Sequence, residues 1–377
     1  MENEETDLKI VMFGHKRIPS REGGVEIVVE ELSVRMAALG HEVTCINRRG
    51  HHVGGKEFDT VCRDCYRGVK IQTVPTLDRK GLAAVTSSFF ASIRAAFSNA
   101  DVVHIHAEGP AMFCWIPKLF RKRIVVTVHG LNWQCGKWKN GIGSRLIMLG
   151  EWMAVRFADE MIVLNHATER YFWDTYGRKT VYIPNGIARP TQISLVEAAE
   201  KFQLQPNEYV LFLGRMVPEK GVHHLIQAYR MIRTDKKLVI AGGSSDSEDY
   251  IKMLKTQAAG DPRIVFTGFV HGRLLEELYS NAYVYVLPSD TEGMPLSLLE
   301  AMSYGNCCLV SDIPGCMEVV ESQAVSFTKG DADDLAKQLQ ALCNNGQTVQ
   351  EMKASAADFI CRKYNWADIV RKTLELY

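Results

Sequence analysis

The sequence predicts an α/β protein made of two doubly wound, Rossmann-like domains that face a cleft. The first observation is length, because 377 residues exceed what one ordinary hydrophobic core supports and favour two domains. The second is a pattern of short apolar runs alternating with amphipathic stretches, which occurs once in each half of the chain. The third is a turn-rich segment between the halves. Strand–helix alternation that occurs twice indicates two parallel sheets covered by helices.

The N-terminal half begins with a buried strand, and a glycine pair at Gly23 and Gly24 precedes a predicted helix over residues 25–38. Helix-like segments separate the later apolar runs of this half. The predicted strands are residues 9–14, 43–47, 102–106, 124–129, 161–164 and 180–184.

The same alternation restarts in the second half. Its predicted strands are residues 209–214, 237–242, 264–268, 283–287 and 307–311. Residues 185–207 contain Asn-Gly and two prolines, so we expect the linker there. The predicted division is an N-terminal domain over 1–188, a C-terminal domain over 189–357, and a helix over 358–377 that returns to the N-terminal domain.

Composition restricts the class of protein and its partners. Basic and acidic residues both number 44, so the charge balance does not indicate a nucleic-acid partner. Ten cysteines without disulfide-framework spacing, after an acidic start with no apolar signal, predict a cytoplasmic protein. No run approaches the roughly 20 apolar residues of a membrane span. We therefore expect at most peripheral contact with the inner face of a membrane.

Several residue types suited to metal binding occur, but their spacing does not predict a metal site. Cys62 and Cys65 form a CxxC without a second pair. We expect His104 and His106 to face opposite sides of their strand, one in the core and one toward the cleft, where they cannot share an ion. His129 ends the next strand, a position that suits either a structural or a catalytic histidine.

The most specific signal is a pair of glutamates, Glu292 and Glu300, separated by seven residues at the start of a predicted helix. Pro295 lies where a proline at the first helical position belongs. The backbone amides of residues 293–296 would then face an anion, which the helix dipole favours. The alternative is a pair of solvated helix charges, but Gly-Met-Pro between them favours a functional site.

Two cations follow the first strand of the same half. Arg215 and Lys220 lie five residues apart around a proline-containing turn. Together with a helix start they would bracket a diphosphate. Because such cations stabilise the charge of a departing nucleotide diphosphate, they would catalyse its departure without a metal.

These segments together resemble family 4 glycosyltransferases of the GT-B fold over nearly the whole chain. The resemblance is carried by Gly23-Gly24, Thr127-Val-His-Gly130, Pro184-Asn-Gly186, Gly214-Arg215 with Lys220-Gly221, and the glutamate pair. It implies a retaining glycosyltransferase in which the leaving phosphate accepts the acceptor's proton, so that no enzymic base is needed.

The resemblance also implies a role for each matching position. Arg215 and Lys220 would bind the donor diphosphate, Glu300 the ribose hydroxyls, and Glu292 the donor sugar. His129 would lie beside the reacting sugar carbon. The remaining donor contacts would come from Gly23 and Gly24 in the first domain, Phe269 and Val270 around the base, and the backbone of Gly293, Met294, Pro295 and Leu296 around the distal phosphate.

The expected reaction moves a hexose or deoxyhexose from a nucleotide diphosphate sugar to a glycan or lipid-linked acceptor, with no other cofactor. A UDP-sugar is favoured. The stretch 14–24 also resembles a bacterial subgroup that includes surface-polysaccharide rhamnosyltransferases, which adds dTDP-rhamnose as a donor. The alternatives are an epimerase or phosphorylase of the same fold and a catalytically silent sugar-binding module. A dinucleotide-dependent oxidoreductase is disfavoured because no GxGxxG follows the first strand.

Residues 115–123 mix apolar bulk with four basic residues, and Trp133 and Trp138 flank Lys137 nearby. Basic and aromatic residues together are typical of proteins that contact anionic membranes. A charged helix end beside a core strand explains the first segment equally well.

Overall fold

The structure is a computed structural model, and it describes residues 7–20, 23–50, 64–77, 79, 82–131, 142–243 and 248–377. The chain divides into two compact units. The N-terminal unit comprises residues 1–186 together with Trp366–Tyr377. The C-terminal unit comprises residues 187–365.

The N-terminal unit is built on a mostly parallel sheet. Its strands are β1 (Lys9–Phe13), β2 (Glu42–Arg48), β3 (Cys65–Tyr66), β4 (Val69–Val74), β5 (Val102–His106), β6 (Arg123–Val128), β7 (Glu160–Val163) and β8 (Val181–Tyr182). In the described residues they form one eight-stranded sheet in the order β3-β4-β2-β1-β5-β6-β7-β8. Only the edge pair β3–β4 is antiparallel there. The order turns at β1, which lies between β2 and β5.

Helices cover this sheet and supply its core. They are α1 (Gly24–Ala38), α2 (Leu82–Ala96), α3 (Glu108–Ala111), α4 (Trp115–Leu119), α5 (Ile142–Phe157) and α6 (His166–Tyr176). Fully buried strand residues such as Ile105 and Val126 cluster with Ala154 of α5 and Phe172 of α6. Strands such as β1 and β7 are apolar after their first residue because helices pack on both faces of a parallel sheet.

The C-terminal unit repeats the architecture with six parallel strands in the described residues. They are β9 (Tyr209–Leu213), β10 (Lys237–Ala241), β11 (Ile264–Gly268), β12 (Val284–Leu287), β13 (Cys307–Ser311) and β14 (Val325–Phe327), in the order β11-β10-β9-β12-β13-β14. Its helices are α7 (Glu197–Phe202), α8 (Val222–Met231), α9 (Glu248–Ala258), α10 (Gly272–Asn281), α11 (Leu296–Ser303), α12 (Pro314–Val320), α13 (Ala332–Asn344) and α14 (Gly346–Lys363).

The predicted fold class is confirmed, and each predicted strand matches an observed strand within a few residues. Three observed strands were not predicted: β3, β4 and β14. The first and last have two and three residues, too few for periodicity to distinguish them from a loop.

The C-terminal segment differs from the predicted single helix over 358–377. Helix α14 ends at Lys363, and a separate helix α15 (Trp366–Leu374) belongs to the N-terminal unit. Within that unit, a Cβ on Gly186 would lie 2.4 Å from the Trp366 ring. Position 186 therefore has room only for glycine. Among the described residues, no helix has the length and apolar character of a membrane span.

Candidate active site

Loops of the C-terminal unit follow the carboxyl ends of neighbouring parallel strands, where ligands of doubly wound sheets bind. Backbone hydrogen bonds connect them: Gly242 N–H donates to Gly268 O at 2.8 Å, and Met216 N–H donates to Gly243 O at 3.2 Å. The loop after β9 thereby contacts the loop after β10, which contacts the end of β11. We call residues 214–221, 242–243, 268–270 and 288–296 the strand-end loops.

Two glycines allow these loops to approach closely. Gly221 has a φ of +65°, and a Cβ there would lie 1.9 Å from Pro288 O. Gly242 has a φ of +136°, and its Cβ would lie 1.9 Å from Gly214 O. Other residues rarely adopt such φ values and would collide with a backbone carbonyl. Gly242 is therefore required by the turn itself.

Lys220 and Glu292 form an ion pair across two of the strand-end loops. Lys220 Nζ lies 2.5 Å from Glu292 Oε1, and the side chains are 14% and 10% exposed. Ser289 Oγ donates a second hydrogen bond to the same carboxylate oxygen at 2.7 Å. Lys220 ends the short 3₁₀ turn Pro218–Lys220, and the following glycine brings this turn against Pro288. The two residues are 72 positions apart in the sequence. The close approach of Gly221 to Pro288, which a larger residue would prevent, brings their loops together.

Arg215 lies in the same loop as Lys220 but makes different contacts. Its side chain is exposed, and among the described residues that side chain makes no hydrogen bond or ion pair. The structure therefore places a solvated guanidinium five residues before a largely buried ammonium. Because the Arg215 side chain has no ion-pair partner there, it can turn toward an anion without breaking an existing bond.

The segment from Glu292 to Glu300 forms a loop followed by α11. Pro295 is the N-cap residue, with φ −74° and ψ 110°, and the helix starts at Leu296. The prediction of Pro295 at the first helical position was therefore wrong by one residue, because its extended ψ is outside the helical range. The loop lies tightly on α12, where a Cβ on Gly315 would be 2.3 Å from Glu292 O.

Glu300 is held on α11 by aromatic neighbours rather than by the Lys220 pair. Tyr279 Oη donates a hydrogen bond to Glu300 Oε2 at 3.1 Å. The Tyr279 ring stacks on Tyr304 with centroids 5.3 Å apart. Phe269 and Val270 follow β11 at another strand-end loop, Phe269 half-buried and Val270 buried.

In the N-terminal unit, three histidines form a connected row. The rings of His104 and His106 stack with centroids 4.2 Å apart, and His106 Nδ1 lies 3.1 Å from His129 Nε2. Both strand histidines are fully buried. The prediction that they face opposite sides was wrong, because residues two apart on a strand share a face. Among the described residues, no group of three His, Cys, Asp or Glu side chains is arranged to hold a metal.

These histidines are neutral near neutral pH. Burial lowers the pKa of His129 to about 4 and holds the pKa of His106 well below its usual value. Burial, together with His129, lowers the pKa of His104 to about 3. Since a neutral imidazole both donates and accepts one hydrogen bond, His129 is suited to hydrogen bonding and poorly suited to act as a base.

Two contacts near this row could not be expected from the motifs. Tyr377 Oη, which follows α15, lies 2.5 Å from His104 Nδ1. His15, two residues after the end of β1, is buried, and burial lowers its pKa to about 4. Its Nε2 lies 2.9 Å from Asn47 Oδ1. The only signal for His15 in the sequence was its position immediately after the predicted strand of residues 9–14.

The first loop reaches α1 through a carboxylate. Lys16 N–H donates to Glu26 Oε1 at 2.9 Å, and a Cβ on Gly23 would lie 2.7 Å from Glu26 Oε2. Gly23 caps the helix, and Gly24 is its exposed first residue. The glycine pair therefore leaves the start of α1 without side chains of its own.

The basic run considered for membrane contact makes internal bonds. Lys118 pairs with Asp159, Lys122 Nζ donates to Ser98 O, and Arg123 Nε donates to Leu376 O. These bonds favour the interpretation of a charged helix end beside a core strand. Trp133, Lys137 and Trp138, and Cys62 of the CxxC pair, lie outside the described residues.

Comparison with protein-family models matches each half of the chain. Residues 22–189 match the model described as Glycosyltransferase Family 4. Residues 197–359 match the model described as Glycosyl transferases group 1.

Curated relatives agree with these matches. An uncharacterised glycosyltransferase of Methanocaldococcus jannaschii is 34% identical over 172 residues, which span 45% of this chain and 44% of the relative. The alignment thus covers less than half of that protein. The α-maltose-1-phosphate synthase of Mycobacterium tuberculosis is 28% identical over 334 residues, 80% of this chain and 85% of the relative.

Solved structures share the whole architecture. Sucrose-phosphate synthase of Thermosynechococcus elongatus has a TM-score of 0.82 at 20% identity, covering 98% of both chains. The Anabaena protein HepE, in a complex with UDP and glucose, has a TM-score of 0.81 at 17% identity, again over 98% of both chains. At these identities the likeness concerns the fold.

Proposed function

The chain is a glycosyltransferase of the GT-B fold, and we propose that it transfers a hexose or deoxyhexose from a nucleotide diphosphate sugar to a glycan or lipid-linked acceptor, with retention of configuration. The observation that carries this proposal is the largely buried pair of Lys220 and Glu292 among the strand-end loops. A lysine and a carboxylate fixed at the carboxyl ends of parallel strands suit a ligand that has both a diphosphate and hydroxyl groups.

Lys220 and Arg215 bind the diphosphate in this proposal. Lys220 exchanges its bond with Glu292 for a phosphate oxygen, and the released carboxylate accepts hydrogen bonds from the donor sugar. Arg215, exposed and without an ion-pair partner in the described residues, adds a bidentate contact. Two cations aimed at the departing diphosphate stabilise the charge it gains as the glycosidic bond breaks. The proposed leaving-group catalysis therefore uses side chains in place of a metal ion.

The nucleoside contacts are assigned to the same loops and to α11. Glu300, oriented by the Tyr279 hydroxyl, accepts hydrogen bonds from the ribose, and Phe269 and Val270 border the base. The backbone of residues 293–296 faces the distal phosphate. We favour UDP, supported by the structurally similar HepE, which has been solved in complex with UDP-glucose.

The N-terminal unit is assigned to the acceptor. His129 donates or accepts a hydrogen bond at the donor sugar, with its other ring nitrogen held by His106. Because a pKa near 4 makes His129 a weak base, the leaving phosphate is the better acceptor for the proton of the attacking hydroxyl. That assignment supports retention, since attack and departure then occur on one face of the sugar.

The first test is thermal unfolding against UDP, dTDP, GDP and ADP, each without and with magnesium. A nucleotide at 100 times its dissociation constant stabilises the folded protein by about 2.7 kcal/mol, an increase in melting temperature of about 5–10 °C. An increase in melting temperature with one nucleotide, unchanged by magnesium, supports diphosphate binding by Arg215 and Lys220. No shift with any of the four contradicts the proposed donor site.

Variants then locate the site. Arg215→Ala and Glu300→Gln should lose most sugar transfer and nucleotide stabilisation while remaining folded. Arg233→Ala is the matched control, because Arg233 is an exposed arginine of the same unit whose backbone groups make its hydrogen bonds. Near wild-type transfer by Arg215→Ala or Glu300→Gln removes that residue from the site. Product analysis separates transfer from epimerisation and phosphorolysis.

We propose a cytoplasmic location as well. The eight described cysteines are free, and five of them are buried. Burial raises the pKa of the Cys45 and Cys307 thiols to about 12. Reduced thiols in a folded core suit a reducing compartment. Recovery of the protein only from an extracellular fraction would contradict this location.

A further inference from the structure

One helical layer of the N-terminal unit exposes most of the large apolar side chains that the described structure leaves in solvent. Phe97 is 72% exposed and Leu119 71%, values expected of polar surface residues. The exposed members are Leu82, Phe89, Phe90 and Phe97 on and after α2, Trp115, Leu119 and Phe120 on and after α4, and Met148, Leu149 and Trp152 on α5. We call these residues the apolar layer.

Ring contacts and a hydrogen bond join the parts of this layer. Phe97 and Phe120 pack edge to face with centroids 4.7 Å apart, and Phe89 contacts Phe113 at 5.4 Å. Between α4 and α5, Cys114 Sγ lies 3.4 Å from Met153 O. The helices α2, α4 and α5 are therefore neighbours in the N-terminal unit.

The tryptophans distinguish this layer from an ordinary surface. Among the described residues, Trp115 and Trp152 are exposed in the layer, Trp173 is exposed on α6 in the same unit, and only Trp366 is buried. Within the described residues of the C-terminal unit, by contrast, the only large apolar side chains that are exposed are those of Val196, Met231 and Met253. Soluble proteins scatter such side chains singly, so a group of them on three neighbouring helices indicates a binding surface.

The charge of this surface has one sign. Exposed arginines at positions 94, 145 and 156 lie on α2 and α5, and within the described part of the chain no carboxylate pairs with them. Helix α2 contains no Asp or Glu. Glu151, the acidic residue of α5, is buried and accepts 2.6 Å hydrogen bonds from Tyr171 and Tyr176. The layer is therefore locally cationic in a chain whose formal net charge is zero.

We propose that the apolar layer docks on an anionic membrane surface. Aromatic and aliphatic side chains insert at the headgroup boundary, and arginines bind lipid phosphates beside them. Charge complementarity selects this occupant over a second copy of the chain, because two such layers placed face to face would oppose arginine to arginine. The basic residues 118, 122 and 123, which make internal bonds, are not the main contacts.

This surface is independent of the proposed donor site. It shares no residue with the strand-end loops or with the histidine row. Loss of membrane binding would therefore leave nucleotide binding intact, and failure of the donor assignment would leave the docking surface unaffected.

The test is cosedimentation with vesicles of phosphatidylcholine, with and without phosphatidylglycerol, at low and high salt. We expect the protein to sediment with the anionic vesicles and to be released by salt. Each arginine near such a surface is worth about a fivefold change in partitioning, so the triple variant Arg94→Gln, Arg145→Gln, Arg156→Gln should bind about 100-fold more weakly. A second variant, Phe97→Ser with Trp152→Ser, should weaken binding about tenfold or more at each position.

The matched control is Met231→Ser with Arg233→Gln, which removes an exposed apolar residue and an arginine from the C-terminal unit and should sediment like the wild type. All variants must keep the wild-type melting temperature and nucleotide shift. No binding to anionic vesicles at low salt overturns the proposal, as does equal binding by the wild type and both layer variants. A lipid-independent dimer in light scattering that Phe97→Ser with Trp152→Ser dissociates also overturns it, because the layer then binds a second copy.

Discussion

Replacing Gly221 by alanine tests whether close backbone approach holds Lys220 against Glu292. Gly221 has a φ of +65°, and a Cβ there would lie 1.9 Å from Pro288 O. Gly330 is a matched control in the same unit, because its φ is +73° and a Cβ added there would have no atom within 4 Å. The two positions share the backbone conformation and differ in the approach of a neighbouring carbonyl.

The structure gives the expected magnitudes. Alanine at a left-handed φ costs about 1–2 kcal/mol, and its smaller entropy in the unfolded chain offsets about 0.4–1 kcal/mol of that. Gly330→Ala should therefore lower the free energy of unfolding by about 1 kcal/mol. At Gly221 the loops must also separate by about 1.5 Å to restore a contact of 3.4 Å. Such overpacking adds about 3 kcal/mol.

Thermal unfolding and nucleotide binding measure the two effects. At about 2–4 °C per kcal/mol, Gly221→Ala should melt about 10 °C below the wild type, and Gly330→Ala only about 2–4 °C below it. Separation of the loops should also weaken nucleotide diphosphate binding in Gly221→Ala alone. Equal losses of stability in the two variants would refute the reasoning, because the carbonyl contact would then contribute nothing.

The remaining predictions concern the ion pair and the histidine row. Lys220→Met and Glu292→Gln should each lower the free energy of unfolding by about 2–3 kcal/mol, and the double variant should lower it by less than the sum of the two. Additive losses in urea unfolding would show that the two residues do not stabilise each other. The pKa values of His104 and His106 are lowered on folding, so below pH 6.5 the unfolded chain binds protons that the folded protein does not. The contribution of these histidines to the free energy of unfolding is therefore complete above pH 6.5. It falls by up to about 1.4 kcal/mol per pH unit per histidine toward pH 3. Unfolding midpoints unchanged between pH 7 and 5 would contradict this. Tyr377→Phe leaves His104 Nδ1 without its partner and should cost about 1–3 kcal/mol in urea unfolding, whereas an unchanged midpoint would show that the bond is not stabilising.

Periodicity was sufficient for most of the fold. Short, mostly apolar runs identified the central strands, because both faces of a parallel sheet are buried and favour apolar residues. The edge strand β3 has two residues, and burial imposes no comparable pattern on so short a segment. Pairing with β4, a tertiary contact, decides the structure of this edge.

Some contacts of the candidate site could not be predicted from local sequence patterns. The spacing of Glu292 and Glu300 indicated a site, but it did not indicate that Lys220 contacts the first glutamate and Tyr279 the second. Such partners come from different loops and helices, so their contact depends on the folded backbone. The functional roles of Arg215, Lys220, Glu292, Glu300 and His129 stay predictions.

The histidine row was only partly predictable from the sequence. His104 and His106 share a face by strand geometry alone, so their stacking was predictable and was missed. The contact between His104 and Tyr377 joins residues 273 positions apart. No local pattern connects them, because α15 packs on a unit whose other residues stop at position 186.

That discontinuous unit has a consequence for the order in which the protein matures on the ribosome. Residues 187–365 form their unit from one continuous segment, whereas the N-terminal unit is complete only once Trp366–Tyr377 has been made. The N-terminal unit, although synthesised earlier, waits for residues 366–377 to supply α15 and the hydroxyl that binds His104. A nonsense mutation just before codon 366 would therefore damage the half of the protein that was made first.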